Sequence, residues 1–305
     1  MRVLAVLNGG GGTLRSADVE SLCDELGELF RNAGHDFDCR IVAADGLMDA
    51  LQQAAEDPDV EIVVAGGGDG TVSAAATTCW ESGKILGVLP AGTMNLFARS
   101  LGLPLDIHDA ARALANGKLG TSDIATANGR AFIHQFSVGL HPRMVHARNA
   151  YTYRSRLGKM LASARATLET ITRPKIFDTE IVATGKRRSE RLSIVSVSNN
   201  PFGEGHLPYA DRLDSGTLGF YRAGDLNSVS ALQLATDLMT GSWRENADLR
   251  IETHSKITLR FNRLSRSAKC LIDGELRPLE SEVTIESHPS ALRVLIPASA
   301  TERSA

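Results

Sequence analysis

Two hydrophobic patterns alternate along the first third of the chain. Residues 3–7 are an unbroken apolar run, which predicts a buried strand. From Ser16 onward, Val19, Leu22, Leu26, Leu29, Phe30 and Ala33 fall at helical spacing. That predicts an amphipathic helix, capped by Ser16 and ended by Gly34. Residues 38–43, 61–65 and 85–89 predict further strands, and 48–55, 72–80 and 93–101 further helices. Regular alternation of this kind predicts a parallel sheet covered by helices.

The pattern changes after about Gly120. Segments 131–138, 175–183, 192–198, 217–221, 256–261 and 292–296 are short and β-rich. Turn residues separate them, at Asn128-Gly129, Asp214-Ser215-Gly216 and Asp273-Gly274. They predict an antiparallel sheet or sandwich, interrupted by helical stretches at 157–171 and 229–239. A length of 305 residues suits about two domains. The boundary is placed between an α/β domain at 1–122 and a β-rich domain at 123–305.

Composition refines this picture little: 43% hydrophobic and 23% charged residues describe a folded protein. Every long apolar run is broken well short of the roughly 18 residues of a membrane span. The first apolar run stops at Asn8 and four glycines, so it reads as a strand and not a leader, and a cytoplasmic location is expected. Cys23, Cys39, Cys79 and Cys270 form no Cys-x-x-Cys pair and are expected to be reduced thiols. Charge is uneven. Residues 143–191 hold twelve Lys or Arg against four Asp or Glu, a net +8 in a chain of net −3. Such a stretch suits an anionic partner, and a solvated face explains it equally well. It contains Tyr151 and Tyr153 but no helix-turn-helix or RNA-binding pattern, so no nucleic-acid partner is expected.

The candidate chemistry lies in three glycine-rich loops that follow predicted strands. These are Asn8-Gly9-Gly10-Gly11-Gly12-Thr13, Gly66-Gly67-Gly68-Asp69-Gly70-Thr71 and Pro90-Ala91-Gly92-Thr93-Met94-Asn95. Strands of a parallel sheet deliver such loops to one rim, where ligands bind. Glycines let backbone N–H groups approach a phosphate, and a helix start adds partial positive charge. The P-loop string is absent, and Thr71 stands where Gly-x-Gly-x-x-Gly needs its last glycine. Asp69 would repel phosphates unless it handles Mg2+ or accepts a proton. The competing role is a cap on the following helix. Thr93 and Asn95 have the same two possible roles.

At these residues the sequence resembles the diacylglycerol kinase catalytic-domain family, which includes sphingosine and ceramide kinases. The matching pieces are residues 66–71 and the run Leu89-Pro90-Ala91-Gly92-Thr93-Met94-Asn95-Leu96-Phe97-Ala98-Arg99. Further likenesses follow at 132–139, Arg156-Leu157-Gly158-Lys159, Ser198-Asn199-Asn200 and Leu271-Ile272-Asp273-Gly274-Glu275. The resemblance implies an α/β nucleotide domain, a C-terminal β-sandwich and an active site in the cleft between them. It implies ATP held by Asn8, Gly68, Asp69, Gly70, Thr71 and Thr93, with Gly9, Gly67 and Asn95 in the same loops. It further implies Mg2+ at Asp69 with the ATP phosphates. Glu275, in the motif with Asp273, would be the base that takes the proton of a lipid hydroxyl. Without the resemblance, Asp273-Gly274 reads as a hairpin turn.

The chain departs from the family at Ser215, where bacterial members carry an Asp that holds a structural Mg2+. Such a site is expected near Arg212, Ser215 and Thr217. Gly9 and Glu204 depart as well. The expected partners are a lipid substrate and an anionic membrane surface, and edge strands in the second domain leave a homodimer open. Two other functions remain. One is a soluble-substrate kinase of the NAD kinase type, which the 89–99 run argues against. The other is a non-catalytic nucleotide-binding or membrane-docking module.

Overall fold

The computed structural model describes residues 1–139, 142, 175–205 and 207–298. The helix expected over 157–171, most of the basic stretch and the polar end at 300–305 lie outside them. The chain divides into two compact units. The first holds Met1–Ile124, Tyr209–Ser215 and the segment from His288 onward, and the second holds Ala125–Pro208 and Gly216–Ser287. Two later segments therefore return to the first unit, which a single boundary near residue 122 did not foresee.

In the first unit, β1 (Arg2–Asn8), α1 (Val19–Asn32), β2 (Asp36–Val42), α2 (Leu47–Glu56), β3 (Val60–Gly67), α3 (Asp69–Ser82), β4 (Ile85–Pro90), α4 (Leu96–Ser100) and α5 (Ile107–Ala115) follow in order. The four strands run parallel in the order β2-β1-β3-β4. Residues Val3 to Leu7 of β1 are at most 2% exposed, as a strand covered on both faces requires. Each Val or Leu side chain among them contributes about 1.5–3 kcal/mol of burial.

α1 buries Leu22, Leu26 and Phe30, one face of a helix. Its cap is Asp18, whose carboxylate accepts from Ser21 N at 3.1 Å, and not Ser16. Ser16 instead closes a 3-10 turn at Gly12–Ser16, pinned by buried Leu14, so the α-helix starts later. The structure also corrects the expectation of four reduced thiols. Cys23 of α1 and Cys39 of β2 are bonded, with Cα atoms 5.9 Å apart. α1 packs on β2, so 16 residues of helix, turn and strand bring the two sulfurs together. Cys79 and Cys270 are buried free thiols.

In the second unit, β5 (Lys118–Ala127) enters from the first and pairs with β6 (Arg130–Phe132). One sheet has the antiparallel order β12-β11-β10-β7-β14-β15, from β7 (Gln135–Gly139), β10 (Ile194–Ser198), β11 (Leu218–Ala223), β12 (Leu249–His254), β14 (Lys269–Ile272) and β15 (Glu275–Pro278). In the other, β13 (Lys256–Phe261) lies between β8 (Phe177–Ala183) and the first part of β16 (Glu282–Ile296), and β9 (Lys186–Leu192) pairs with β8. α6 (Ser228–Thr240) lies between β11 and β12 in sequence and is capped by Asn227. One core cluster takes Phe136, Val197 and Phe220 from the first sheet and Ile181, Leu259 and Ile285 from the second, which makes the unit a sandwich.

An ion-pair network joins the two sheets. Arg222 of β11, 4% exposed, contacts Glu190 of β9 at 2.9 Å and Glu252 of β12 at 2.8 Å. Arg188 of β9 reaches Glu252 at 2.6 Å. Hydrogen bonding from Arg188, and then from Arg222 and His254, holds the Glu252 carboxyl well below the usual carboxylate range. The described end of the basic stretch is thereby largely neutralised, since Arg187 meets Glu180 and Arg191 meets Asp225. Among the described residues no helix is long and apolar enough to cross a membrane.

Candidate active site

β1, β3 and β4 are neighbours in one parallel sheet, so their carboxyl ends place the three glycine-rich loops side by side. Hydrogen bonds lace the loops together. Ala91 N donates to Gly67 O at 2.9 Å, and Thr13 N donates to Ala91 O at 2.8 Å. Asn8 Nδ2 donates to the Thr71 hydroxyl at 3.2 Å across the rim. Asn8 is 8% exposed, and its Oδ1 has no hydrogen-bond partner among the described residues. An orphaned acceptor of that kind costs stability and suits a ligand that brings a donor.

Close approach requires glycine at several of these positions, Gly12 among them, whose Cβ would collide with Ala91 O. A Cβ on Gly67 would lie 2.5 Å from the Thr71 hydroxyl oxygen. A Cβ on Gly92 would lie 2.7 Å from the Gly68 Cα and 2.8 Å from Asn95 Oδ1. The second and third loops thus meet backbone to backbone. Gly70 is exposed with open space beside it. α3 starts at Asp69 with Gly68 as a cap that offers no side chain, so its first N–H groups have no side-chain cap. This is the arrangement that accepts a phosphate.

Asp69 caps a helix, but not the one that follows it. Its Oδ2 accepts from Asn95 N at 3.0 Å and its Oδ1 from Leu96 N at 2.6 Å, at the start of α4. Asn95, in left-handed backbone at φ 50°, closes its own loop through both side-chain atoms onto Gly92. Each Asp69 oxygen keeps a lone pair, which fits a cation that takes its remaining ligands from phosphate and water. Among the described residues no group of three His, Cys, Asp or Glu forms a metal cage. That includes the turn expected to hold a structural metal, where Arg212 pairs with Asp214 at 3.1 Å beside Ser215 and Thr217. Thr93 is exposed on the rim, and Gly9 lies beside Ile41.

Asp273 and Glu275 belong to the second unit. Asp273 at φ 45° and Gly274 at φ 85° form the two-residue turn between β14 and β15. The Asp273 carboxylate accepts from Ile133 N, His134 N and Gln135 N, each at 2.9 Å. It staples the hairpin to the segment before β7. Glu275, exposed on β15, touches only Arg277 among the described residues, at 2.5 Å.

Sequence reasoning missed Gly92, Ala91 and the Leu96 N–H as parts of the site. Ala91 and Gly92 stand in a loop already singled out, but their partners lie 24 and 78 residues away, where local pattern gives no signal.

The comparisons with known proteins point the same way. Residues 2–127 match the family described as diacylglycerol kinase catalytic domain. The chain is 26% identical over 82% of its length to an uncharacterized protein of Synechocystis sp.. It is 35% identical over 46% of its length to a Klebsiella pneumoniae protein named "Probable lipid kinase YegS-like". The matches span 59% and 46% of those relatives, so the chain covers about half of their length. A solved structure described as a diacylglycerol kinase from Bacillus anthracis str. Sterne superposes with a TM-score of 0.70 at 17% identity, covering 98% of this chain and 97% of that one. That likeness shows the shared two-part fold. Residues 2–127, the glycine-rich rim included, are thus similar to the diacylglycerol kinase catalytic domain.

Proposed function

We propose that the protein is a lipid kinase that transfers the terminal phosphate of ATP to a lipid hydroxyl. The observation that carries this is the lacing of three glycine-rich loops around Asp69 at the carboxyl ends of β1, β3 and β4. The relatives' names, which speak of lipid kinases, supply the acceptor class.

In this reading the N–H groups at the start of α3 and the loop at Gly67, Gly68 and Gly70 cradle the phosphates. Asn8, Gly9, Thr71, Thr93 and Asn95 shape the cradle, and Asp69 holds Mg2+. Bound Mg2+ supplies charge neutralisation on the phosphates. Phosphoryl transfer needs positioning and electrostatic help more than covalent chemistry. The lipid oxygen bonds to the terminal phosphorus, the bond to the ADP oxygen breaks, and the hydroxyl proton goes to Glu275. Asp273 acts as a positioning residue, since three backbone N–H groups already occupy its carboxylate. Among the described residues Glu275 is held only by an exposed pair, which is worth little and is readily exchanged. Contact with an anionic membrane surface would bring the protein to its substrate.

The test is transfer of labelled terminal phosphate from ATP with Mg2+ to a panel of lipids in mixed micelles. Labelling of one lipid, lost in Asp69→Asn and Glu275→Ala, supports the reading. ATP binding with no labelled lipid overturns it and leaves a nucleotide-binding module.

A further inference from the structure

The second unit holds a cavity that the kinase reading does not use. Its volume is about 700 Å3, within the range of ligand pockets. Its wall is mainly apolar. Phe177, Leu264 and Leu279 each pack against the sandwich core and remain partly uncovered where they line the cavity. Half-covered apolar side chains around a concave space favour an apolar guest.

Three cations line the same space: Lys175, Arg263 and Lys269. No ion pair or side-chain hydrogen bond joins any of them to a described residue. Elsewhere in the unit Arg187, Arg188, Arg191, Arg222 and Arg260 meet carboxylates, while Arg130, Lys186, Arg250 and Arg266, like these three, meet none among the described residues. One carboxylate, Asp178, also faces the cavity, leaving the cations in excess. Arg263 is further singled out by its backbone, in the left-handed region at φ 58°. A glycine would sit there without strain, so a long cationic side chain is kept at some cost.

We propose that this cavity binds an anionic amphiphile. The alkyl chain lies against Phe177, Leu264 and Leu279, and the carboxylate or phosphate at its end is held by Lys175, Arg263 and Lys269. Cations beside low-dielectric walls attract an anion more strongly than the same cations in open water. The Arg263 guanidinium can grip it in a bidentate pair. A neutral lipid of the same chain length fills the wall but leaves the cations unanswered. The site is independent of phosphate transfer, so it stands whether or not the protein is a kinase.

The test is saturable binding of cis-parinarate to the whole chain, followed by fluorescence. Displacement is then measured with laurate, myristate, a lysophosphatidate and a monoacylglycerol of equal chain. Myristate should displace about 15-fold better than laurate, from two methylenes at about 0.8 kcal/mol each. The monoacylglycerol should be at least ~10-fold weaker than the anions, the loss expected from one charged contact. Preference for the fatty acids or for lysophosphatidate identifies a free acid or a phospholipid as the source. Arg263→Gly with Lys269→Gln, which relieves backbone strain and so keeps the fold, should erase the anion preference and leave the monoacylglycerol unchanged. Leu279→Trp should block every ligand. Absence of saturable binding, equal displacement by neutral and anionic ligands, or an anion preference that survives the double variant would overturn the proposal.

Discussion

Asp69 in the first unit and Asp273 in the second each stand beside glycine, and each takes backbone N–H groups from a segment far along the chain. Their occupancy differs. Asp273 accepts at least three N–H groups from three consecutive residues, close to the capacity of a carboxylate. Asp69 accepts two, one on each oxygen, and keeps a lone pair on both. The same residue type in a similar glycine-flanked string therefore has chemistry left over in one place and almost none in the other. In the second unit the exposed carboxylate belongs to Glu275, two residues on.

The comparison predicts where activity and stability part company. Asp69→Asn keeps an oxygen for one N–H and loses the charge. Lipid phosphorylation should fall on the order of 10^3-fold, as when a group serving the transferred phosphate is lost, with a stability loss no larger than one charged hydrogen bond, about 1.5–3 kcal/mol. A large fall in melting temperature would mean that Asp69 is mainly a cap for α4. Gly92→Ala should break the same rim by steric means, since its new Cβ meets Gly68 Cα at 2.7 Å. Overpacking of that kind costs about 1–3 kcal/mol. ATP binding, read by calorimetry, should weaken with it.

Asp273→Ala should show the opposite balance. Three donors lose a charged acceptor at once, and each such bond is worth about 1.5–3 kcal/mol. Denaturant titration should show a loss of several kcal/mol, whereas Glu275→Gln should leave the midpoint in place and remove turnover. Equal stability of the Asp273 and Glu275 variants would dissolve the distinction drawn here.

The smallest expected effect is on pH. The Glu252 carboxyl is held below its ordinary value of 4.5 by Arg188. Its stabilising contribution is whole above that value and is lost as pH falls below it, because unfolding then takes up a proton. Melting temperatures from pH 7 to pH 3 should therefore drop less in Glu252→Gln than in the parent. An equal acid slope in both would show that the network carries no pH dependence.

Much of the first unit was legible in the sequence because its signals are local. The apolar run of β1, the helical spacing of Leu22, Leu26 and Phe30, and the glycine-rich loops each read correctly from neighbouring residues. The second unit was legible as a class and less so in detail. Only 292–296 was expected to be strand, yet β16 runs through Glu282–Ile296, carrying Pro289 and Ser290 at φ 52°. The alternating charges of β9 read as a solvated or anion-seeking stretch, whereas the fold answers them with Glu252 of β12, Asp225 of a loop and the strand's own Glu190. Asp69 was singled out as chemically odd, but its two partners across the rim are tertiary facts with no local trace.

The contact between Gly68 and Gly92 makes two loops 24 residues apart a single inherited unit. Gly92 cannot gain even a methyl group without displacing Gly68, whereas a methyl group on Gly68 would meet Gly92 at an ordinary 3.5 Å. A distant descendant that has lost the glycine at Gly92 has had its rim rebuilt, and any phosphate chemistry ascribed to it should be re-examined before a name is inherited.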